Sequence, residues 1–184
     1  RLLLDTESVY DDQKNHFDPN KIADLLDGLE AEQAQGITID VAHRFFDSES
    51  RRYHIADSPG HEQYTRNMAT ACSGSQALLL VVDATSGMKK QTEHHLEIAL
   101  RLGLRNIVFA VNKMDLVNFS KRKFTSVKQE IENYVKERSN QFDSICLFIV
   151  PVSGLRGDNV VKNSQRLNWY GGKTLLDTLD SLQA

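Results

Sequence analysis

Three stretches of the chain are nearly continuous apolar runs: 77–83 (ALLLVVD), 106–112 (NIVFAVN) and 146–153 (CLFIVPVS). Runs of this length and composition predict strands covered on both faces, as in a parallel sheet. Two more, 41–46 (VAHRFF) and 53–57 (YHIAD), are short and of mixed polarity and read as strands with one open face. Helical periodicity lies between and around them. Segment 90–102 gathers Leu96, Ile98, Ala99 and Leu100 on one side and stops at Gly103. Segment 124–137 intersperses Val127, Ile131 and Tyr134 with Lys and Glu, and 175–182 repeats leucine at Leu175, Leu176, Leu179 and Leu182. Segment 22–33 is helical in pattern too, with Gly36 where a C-terminal cap falls. The polar stretches 120–123 and 156–166 read as loops. Strands alternating with helices predict an α/β fold, and the chain holds no internal repeat or low-complexity tract.

The unusual polar residues fall at the carboxyl ends of the predicted strands: Asp57, Asp83, Asn112 and Ser153. Open parallel sheets bind ligands outside that edge, so these positions mark a site. The 184 residues suffice for one domain with a full core, and the formal net charge of -3 gives no nucleic-acid or membrane footprint. No apolar run approaches the roughly 20 residues that span a bilayer. The opening RLLLDTESVY is too acidic for a signal peptide. It also begins with Arg1, as an excerpt of a longer polypeptide would. Cys72 and Cys146 lack metal spacing and read as reduced thiols of a cytoplasmic protein.

Asn112-Lys113-Met114-Asp115 directly follows a predicted buried strand. A carboxylate accepts two hydrogen bonds at once, and guanine presents two adjacent donors that adenine cannot match. Asp115 is thus expected to read guanine, Asn112 to brace the loop, and the stem of Lys113 to cover the base. The same tetrapeptide also suits a mixed-charge surface loop; its place after a strand favours the base-reading role. Asp57-Ser58-Pro59-Gly60-His61 follows another strand. Asp57 suits magnesium held through water, Gly60 admits a close phosphate, and His61 suits a water-orienting role. Turn chemistry alone would also produce Ser-Pro-Gly. In Gly36-Ile37-Thr38-Ile39-Asp40 the Thr38 hydroxyl is a hard oxygen ligand for magnesium; a helix cap followed by a β-branched strand start explains these residues equally well. Ser153-Gly154-Leu155 offers backbone N–H groups to the guanine carbonyl. His94 and His95, adjacent on a helix, share no face, and His16, His43 and His54 lack partners at ligand spacing, so all five read as structural or surface groups. No G-x-x-x-x-G-K-[ST] phosphate loop occurs in the sequence.

The ordered set GITID, DSPGH, NKMD and SGL resembles the P-loop GTPases of the translation-factor class. Within that class DGLEAEQAQGITIDVAHRFF, DSPGHEQYTRNMAT and NWYGGKTLLDTLDSL resemble the GTPase large subunits of bacterial sulfate adenylyltransferases, over essentially the whole chain. The resemblance implies a Ras-like three-layer α/β sandwich with a mostly parallel sheet, residues 1–184 forming a GTP-binding domain. Its first strand and P-loop would precede Arg1, and two β-barrel domains would follow Ala184. It implies GTP and Mg2+ as ligands, with Thr38 and Asp57 at the metal and His61 positioning the hydrolytic water beside Ile37. Gly60, with Asp57, Ser58 and Pro59, would lie at the phosphates. Asn112, Lys113, Met114 and Asp115 would bind guanine with Ser153, Gly154 and Leu155. The implied function is to couple GTP hydrolysis to formation of adenylyl sulfate from ATP and sulfate by a small catalytic subunit, in the cytoplasm, with no nucleic-acid or membrane partner. A translation elongation factor and a non-catalytic nucleotide-binding domain are the alternatives. Residues 1–184 alone, without a P-loop, are expected to bind GTP poorly. Departures from the family pattern are mild: Ser58 for Thr, Ala71-Cys72 for Thr-Gly, a short 14–23 segment, and Gly154 for Ala.

Overall fold

A computed structural model describes residues 39–139, 141–142 and 144–183, with the backbone of 10–11 and 16–17. The predicted helix 22–33 and the residues Gly36, Ile37 and Thr38 lie outside the described residues. The chain divides into two compact units, Arg1–Ala71 and Cys72–Ala184.

The first unit contains β1 (Tyr10–Asp11) and β2 (His16–Phe17), a short antiparallel pair. Its main feature is an antiparallel hairpin of β3 (Ala42–Asp47) and β4 (Arg52–Asp57), in register from Ala42 opposite Asp57 to Asp47 opposite Arg52. Ser48 closes the turn: its hydroxyl accepts from the N–H of Ser50 and of Arg51, at 3.2 and 3.1 Å. Because side chains alternate along strands, His43, Phe45, Asp47, Arg52 and His54 share one face. That face is exposed, whereas Phe46, Tyr53 and Ile55 on the other are half-buried. The sequence spacing left His43 and His54 without partners. The hairpin corrects this, since a turn brings residues eleven apart together and puts His43 Nδ1 2.9 Å from His54 Nε2. Helix α1 (Thr65–Ser73) follows the Asp57–His61 turn and begins in this unit.

The second unit is a parallel sheet in the order β5 (Ala77–Asp83), β6 (Asn106–Asn112), β7 (Cys146–Pro151). Its helices are α2 (Lys90–Arg101), α3 (Lys121–Ser139) and α4 (Leu175–Asp180). The apolar run of β6 does what its composition demands: Ile107 to Val111 are all 0% exposed, covered on both faces. Its neighbours are less enclosed than their sequences suggest, and Val81 of β5 is 46% exposed. Leu96, Ala99 and Leu100 of α2 and Phe124, Val127, Ile131 and Val135 of α3 complete the core. Burying each of the leucine, isoleucine, valine and phenylalanine side chains among them is worth roughly 1.5–3 kcal/mol before conformational entropy is subtracted.

Local chemistry sets the helix ends. Gly103 takes φ 95°, and the N–H of Leu104 reaches back to the Ala99 carbonyl at 3.0 Å, the six-to-one bond of a Schellman cap. The expected loop 120–123 is instead the first turn of α3. The Ser120 carbonyl accepts from Phe124 N at 3.1 Å, and its hydroxyl caps Lys123 N at 3.4 Å, an N-cap role the polar composition concealed. Thr174 caps α4, accepting from Asp177 N at 3.1 Å and donating to the Asp177 carboxylate at 2.6 Å. Residues 156–166 form turns that end in a 3-10 turn, Gln165–Leu167.

Between β5 and α2, buried Gly87 adopts φ 72°, and a Cβ there would meet Glu130 Oε2 of α3 at 2.5 Å. The same carboxylate accepts from Met88 N at 3.2 Å. Gly87→Ala therefore combines left-handed backbone strain with displacement of Glu130. We expect a loss of about 1–2 kcal/mol in denaturant unfolding; unchanged stability would contradict this account of the loop.

Candidate guanine-nucleotide site

The carboxyl edge of the parallel sheet carries a set of interlocked polar groups. Asp83 and Asn112 end β5 and β6 directly opposite one another. The Asn112 carboxamide oxygen accepts from Lys113 N at 2.7 Å and from Gly154 N at 2.8 Å. Two N–H donors on one atom identify that atom as the oxygen. Asn112 thereby ties the end of β6 to the loop after β7. Lys113 sits at φ 63°, a left-handed conformation uncommon outside glycine. Asn118 and Phe119 are left-handed as well, so the 3-10 turn Met114–Val117 is strained at both ends. Such strain persists only where surrounding structure enforces it. The enforcement is visible: Met114 is fully buried and its N–H bonds the Val152 carbonyl at 3.2 Å. Phe119 N bonds the Met114 carbonyl at 2.7 Å, and Trp169 Nε1 donates to the Phe119 carbonyl at 2.8 Å.

This anchoring presents Asp115, which is half-buried. Its Oδ1 accepts from the Ser153 hydroxyl at 2.6 Å, which leaves Oδ2 to accept from a ligand. Ser153 is itself buried and fixed by its N–H to the Asp158 carbonyl at 3.0 Å. Buried Asp158 in turn accepts from Ser164 and Arg166, at 2.5 and 3.1 Å. Each carboxylate oxygen carries two lone pairs, so Oδ2 and the remaining lone pair of Oδ1 together suit a base edge that carries two adjacent N–H donors. The site residues predicted in this unit thus divide by position. Asn112, Lys113, Asp115, Ser153 and Gly154 converge, the Met114 side chain is a core anchor, and Leu155 is 54% exposed beside them. A Cβ at Gly154 would lie 3.4 Å from the Asn112 amide, an ordinary contact, so glycine in place of the family's alanine leaves the clamp intact.

Asp83 is a neighbour of these residues that motif reading did not assign, although its place at a strand end singled it out. Its Oδ2 pairs with Lys113 Nζ at 2.8 Å, and its Oδ1 accepts from Thr85 N and Thr85 Oγ1 at 2.8 and 2.7 Å. Partial burial alone would raise its pKa; the bonds from Lys113 and Thr85 outweigh this and lower it to about 2. The pair lays the Lys113 stem across the strand ends.

In the other unit, Asp57 ends β4. Asp57 and Ser58 are half-buried, Pro59 is buried and Gly60 is exposed, with no atom within 4 Å of a Cβ placed there. His61 is exposed, and its Nδ1 accepts from Gln63 N at 3.4 Å, capping the 3-10 turn Glu62–Tyr64. In this arrangement the proton of a neutral ring lies on Nε2. Asn67 of α1 donates to the Ile39 carbonyl at 3.0 Å, fastening the residue next to Thr38 to the helix after the turn.

The whole chain, residues 1–184, matches the model of the elongation factor Tu GTP-binding domain, and the chain belongs to this family. Its fold is the α/β fold of that class. It is 46% identical over 193 aligned residues to sulfate adenylyltransferase subunit 1 of Yersinia pestis, and equally to that of Vibrio vulnificus (strain CMCP6). Both alignments cover 99% of this chain and 40% of the relative, so the chain spans about two-fifths of these relatives' length. Among solved structures it is similar to a bacterial selenocysteine-specific elongation factor, with TM-score 0.67 and 24% identity over 86% of this chain and 25% of that one. It is also similar to elongation factor SelB of Methanococcus maripaludis in complex with the GTP analogue GPPNHP. There the TM-score is 0.60 and the identity 24%, over 80% of this chain and 29% of the other.

The Asp83 carboxylate, depressed from 3.8 to about 2, contributes stability at pH above 3.8 that is lost as pH falls through its folded value. Asp83→Asn is therefore expected to be less stable than the wild type at neutral pH, the gap closing as pH falls from 3.8 toward 2. Urea denaturation across the acid range measures this. A gap independent of pH would show that the Lys113 pair is not its source.

Proposed function

We propose that this chain is the GTP-binding domain of a sulfate adenylyltransferase regulatory subunit, in which GTP hydrolysis drives formation of adenylyl sulfate from ATP and sulfate on a small catalytic partner. The 46% identity to sulfate adenylyltransferase subunit 1 across 99% of the chain carries this reading. In the complete protein a strand and a P-loop stand upstream of these residues and two β-barrels downstream; β5, which has no described partner on its outer side, supports the added strand. We place the protein in the cytoplasm, whose reducing environment keeps thiols such as Cys72 and Cys146 free.

Asp115 takes the two guanine donors, Asn112 and Gly154 hold the loop that flanks the base, and Lys113 covers its face. The Asp57 carboxylate and the Thr38 hydroxyl would supply hard oxygens of the kind that Mg2+ prefers. Bound there, Mg2+ would offset phosphate charge. Gly60 presents its backbone N–H to the terminal phosphate, where its lack of a Cβ permits close approach. His61 orients the attacking water; to do so its ring leaves the cap on Gln63, and the 3-10 turn that it holds responds with it. Adenylyl sulfate joins two acids in a mixed anhydride, so its formation is uphill and needs coupling. A γ-phosphate alters a partner's equilibrium only if the partner binds the two nucleotide states differently.

The test is pyrophosphate release from ATP and sulfate by the complete subunit pair. GTP is expected to raise product formation, whereas GDP and a non-hydrolysable analogue do not. His61→Ala is expected to retain GTP binding while slowing hydrolysis by about a hundredfold or more, since positioning acts on the transition state. If GTP has no effect on the pair while aminoacyl-tRNA binds the protein tightly, the elongation-factor reading replaces this one.

A further inference from the structure

The outward face of the β3–β4 hairpin holds two imidazoles that no role described above uses. His43 lies opposite Ala56 and His54 opposite Phe45, so the histidines are diagonal neighbours on one face, within the reach of long side chains. Their rings stack at 4.9 Å, and His43 Nδ1 lies 2.9 Å from His54 Nε2. Phe45 also stacks on His54, at 4.6 Å and 12°, which restrains the orientation of that ring. Both histidines are exposed.

We propose that His43 and His54 form a chelating site for a transition-metal dication of the Zn2+ or Ni2+ kind. Tetrahedral zinc with nitrogen ligands at about 2.0–2.1 Å sets those nitrogens about 3.3 Å apart, so the observed separation needs only a few tenths of an ångström of opening. In the free hairpin one ring donates its proton to the other. On binding, that proton moves to the second nitrogen of its own ring, both facing lone pairs turn to the metal, and no proton is released. Imidazole suits zinc, nickel and copper, whereas Mg2+ seeks oxygen, so this site is chemically separate from the one proposed for Thr38 and Asp57.

Among the described residues no third His, Cys, Asp or Glu joins the pair, so water fills the remaining positions and the ion is exchangeable. The surrounding charge does not close the site. Arg52 is held by Asp47 at 3.3 Å and lies 6.0 Å from the Phe45 ring, and Arg44 donates to the His43 carbonyl at 3.0 Å. A bound ion would pin β3 to β4 on the strands that run into the Asp57 turn.

Calorimetric titration of the full-length protein with ZnCl2 tests this. One Zn2+ is expected at this site, with no competition from excess Mg2+. His43→Gln and His54→Gln are each expected to weaken binding by at least roughly tenfold, the scale already found for losing groups that merely support a ligand. His94→Gln, at an exposed position of α2, is expected to leave it unchanged. Both hairpin positions face solvent, so retained far-UV circular dichroism separates metal loss from misfolding. In the wild type, Zn2+ should shift the ring nitrogen resonances of His43 and His54 alone. Absence of zinc binding, competition by Mg2+, or wild-type zinc affinity in either hairpin variant overturns the proposal.

Discussion

The carboxamide oxygen of Asn112 is the fixed point of the carboxyl edge of the parallel sheet. It accepts from the N–H of Lys113 and of Gly154 at 2.7 and 2.8 Å, joining two loops that are 42 residues apart. Together with the Met114 N–H bond to the Val152 carbonyl and the Ser153 hydroxyl bond to Asp115, it holds Lys113 in its left-handed backbone and the Ser153 loop beside Asp115. An aspartate here would bring a charge, and a leucine would take away the shared acceptor that joins the Lys113 and Gly154 N–H groups. From that fixed point the outer groups follow. Lys113 is aimed at Asp83, Met114 drops into the core, and Asp115 meets the Ser153 hydroxyl at 2.6 Å. Rigidity of this kind suits recognition, because ordering has been completed before the ligand arrives.

The fully enclosed β6 holds the platform steady, and its five 0%-exposed residues place Asn112 at the end of the least deformable strand in the unit. Around the Asp57 turn the opposite holds. Gly60 and His61 are exposed, and a single 3.4 Å bond to Gln63 N occupies the His61 ring. Under the proposed function, the rigid Asn112 platform would set which nucleotide binds, and the weakly tied Asp57 turn would respond to how many phosphates it carries.

Much of this was legible in the sequence. The apolar runs located all three parallel strands, and strand-terminal polar residues marked Asp83, Asn112 and Ser153. Gly103 marked a real helix end. What escaped had physical causes. The 120–123 stretch is polar because it is the exposed, serine-capped start of α3, which composition alone cannot tell from a loop. His43 and His54 look unrelated at a spacing of eleven, because only the hairpin register makes them neighbours. The Asp83–Lys113 pair joins two strands adjacent in space and distant in sequence, so strand-end position flagged Asp83 without revealing its partner. Met114 was read with the base-binding tetrapeptide; its side chain serves the core instead.

The central claim, that Asp115 reads guanine from the platform that Asn112 builds, is tested most directly by base competition in the full-length protein. Fluorescent GDP is displaced by GTP, xanthosine triphosphate and ATP, in the wild type and in Asp115→Asn. The wild type should prefer GTP over both. The variant should lose roughly 1–3 kcal/mol of GTP affinity, since its amide opposes a guanine donor, and should gain preference for xanthosine triphosphate, whose exocyclic oxygen accepts from that amide. Unchanged preference for guanine in the Asp115→Asn protein would contradict the account.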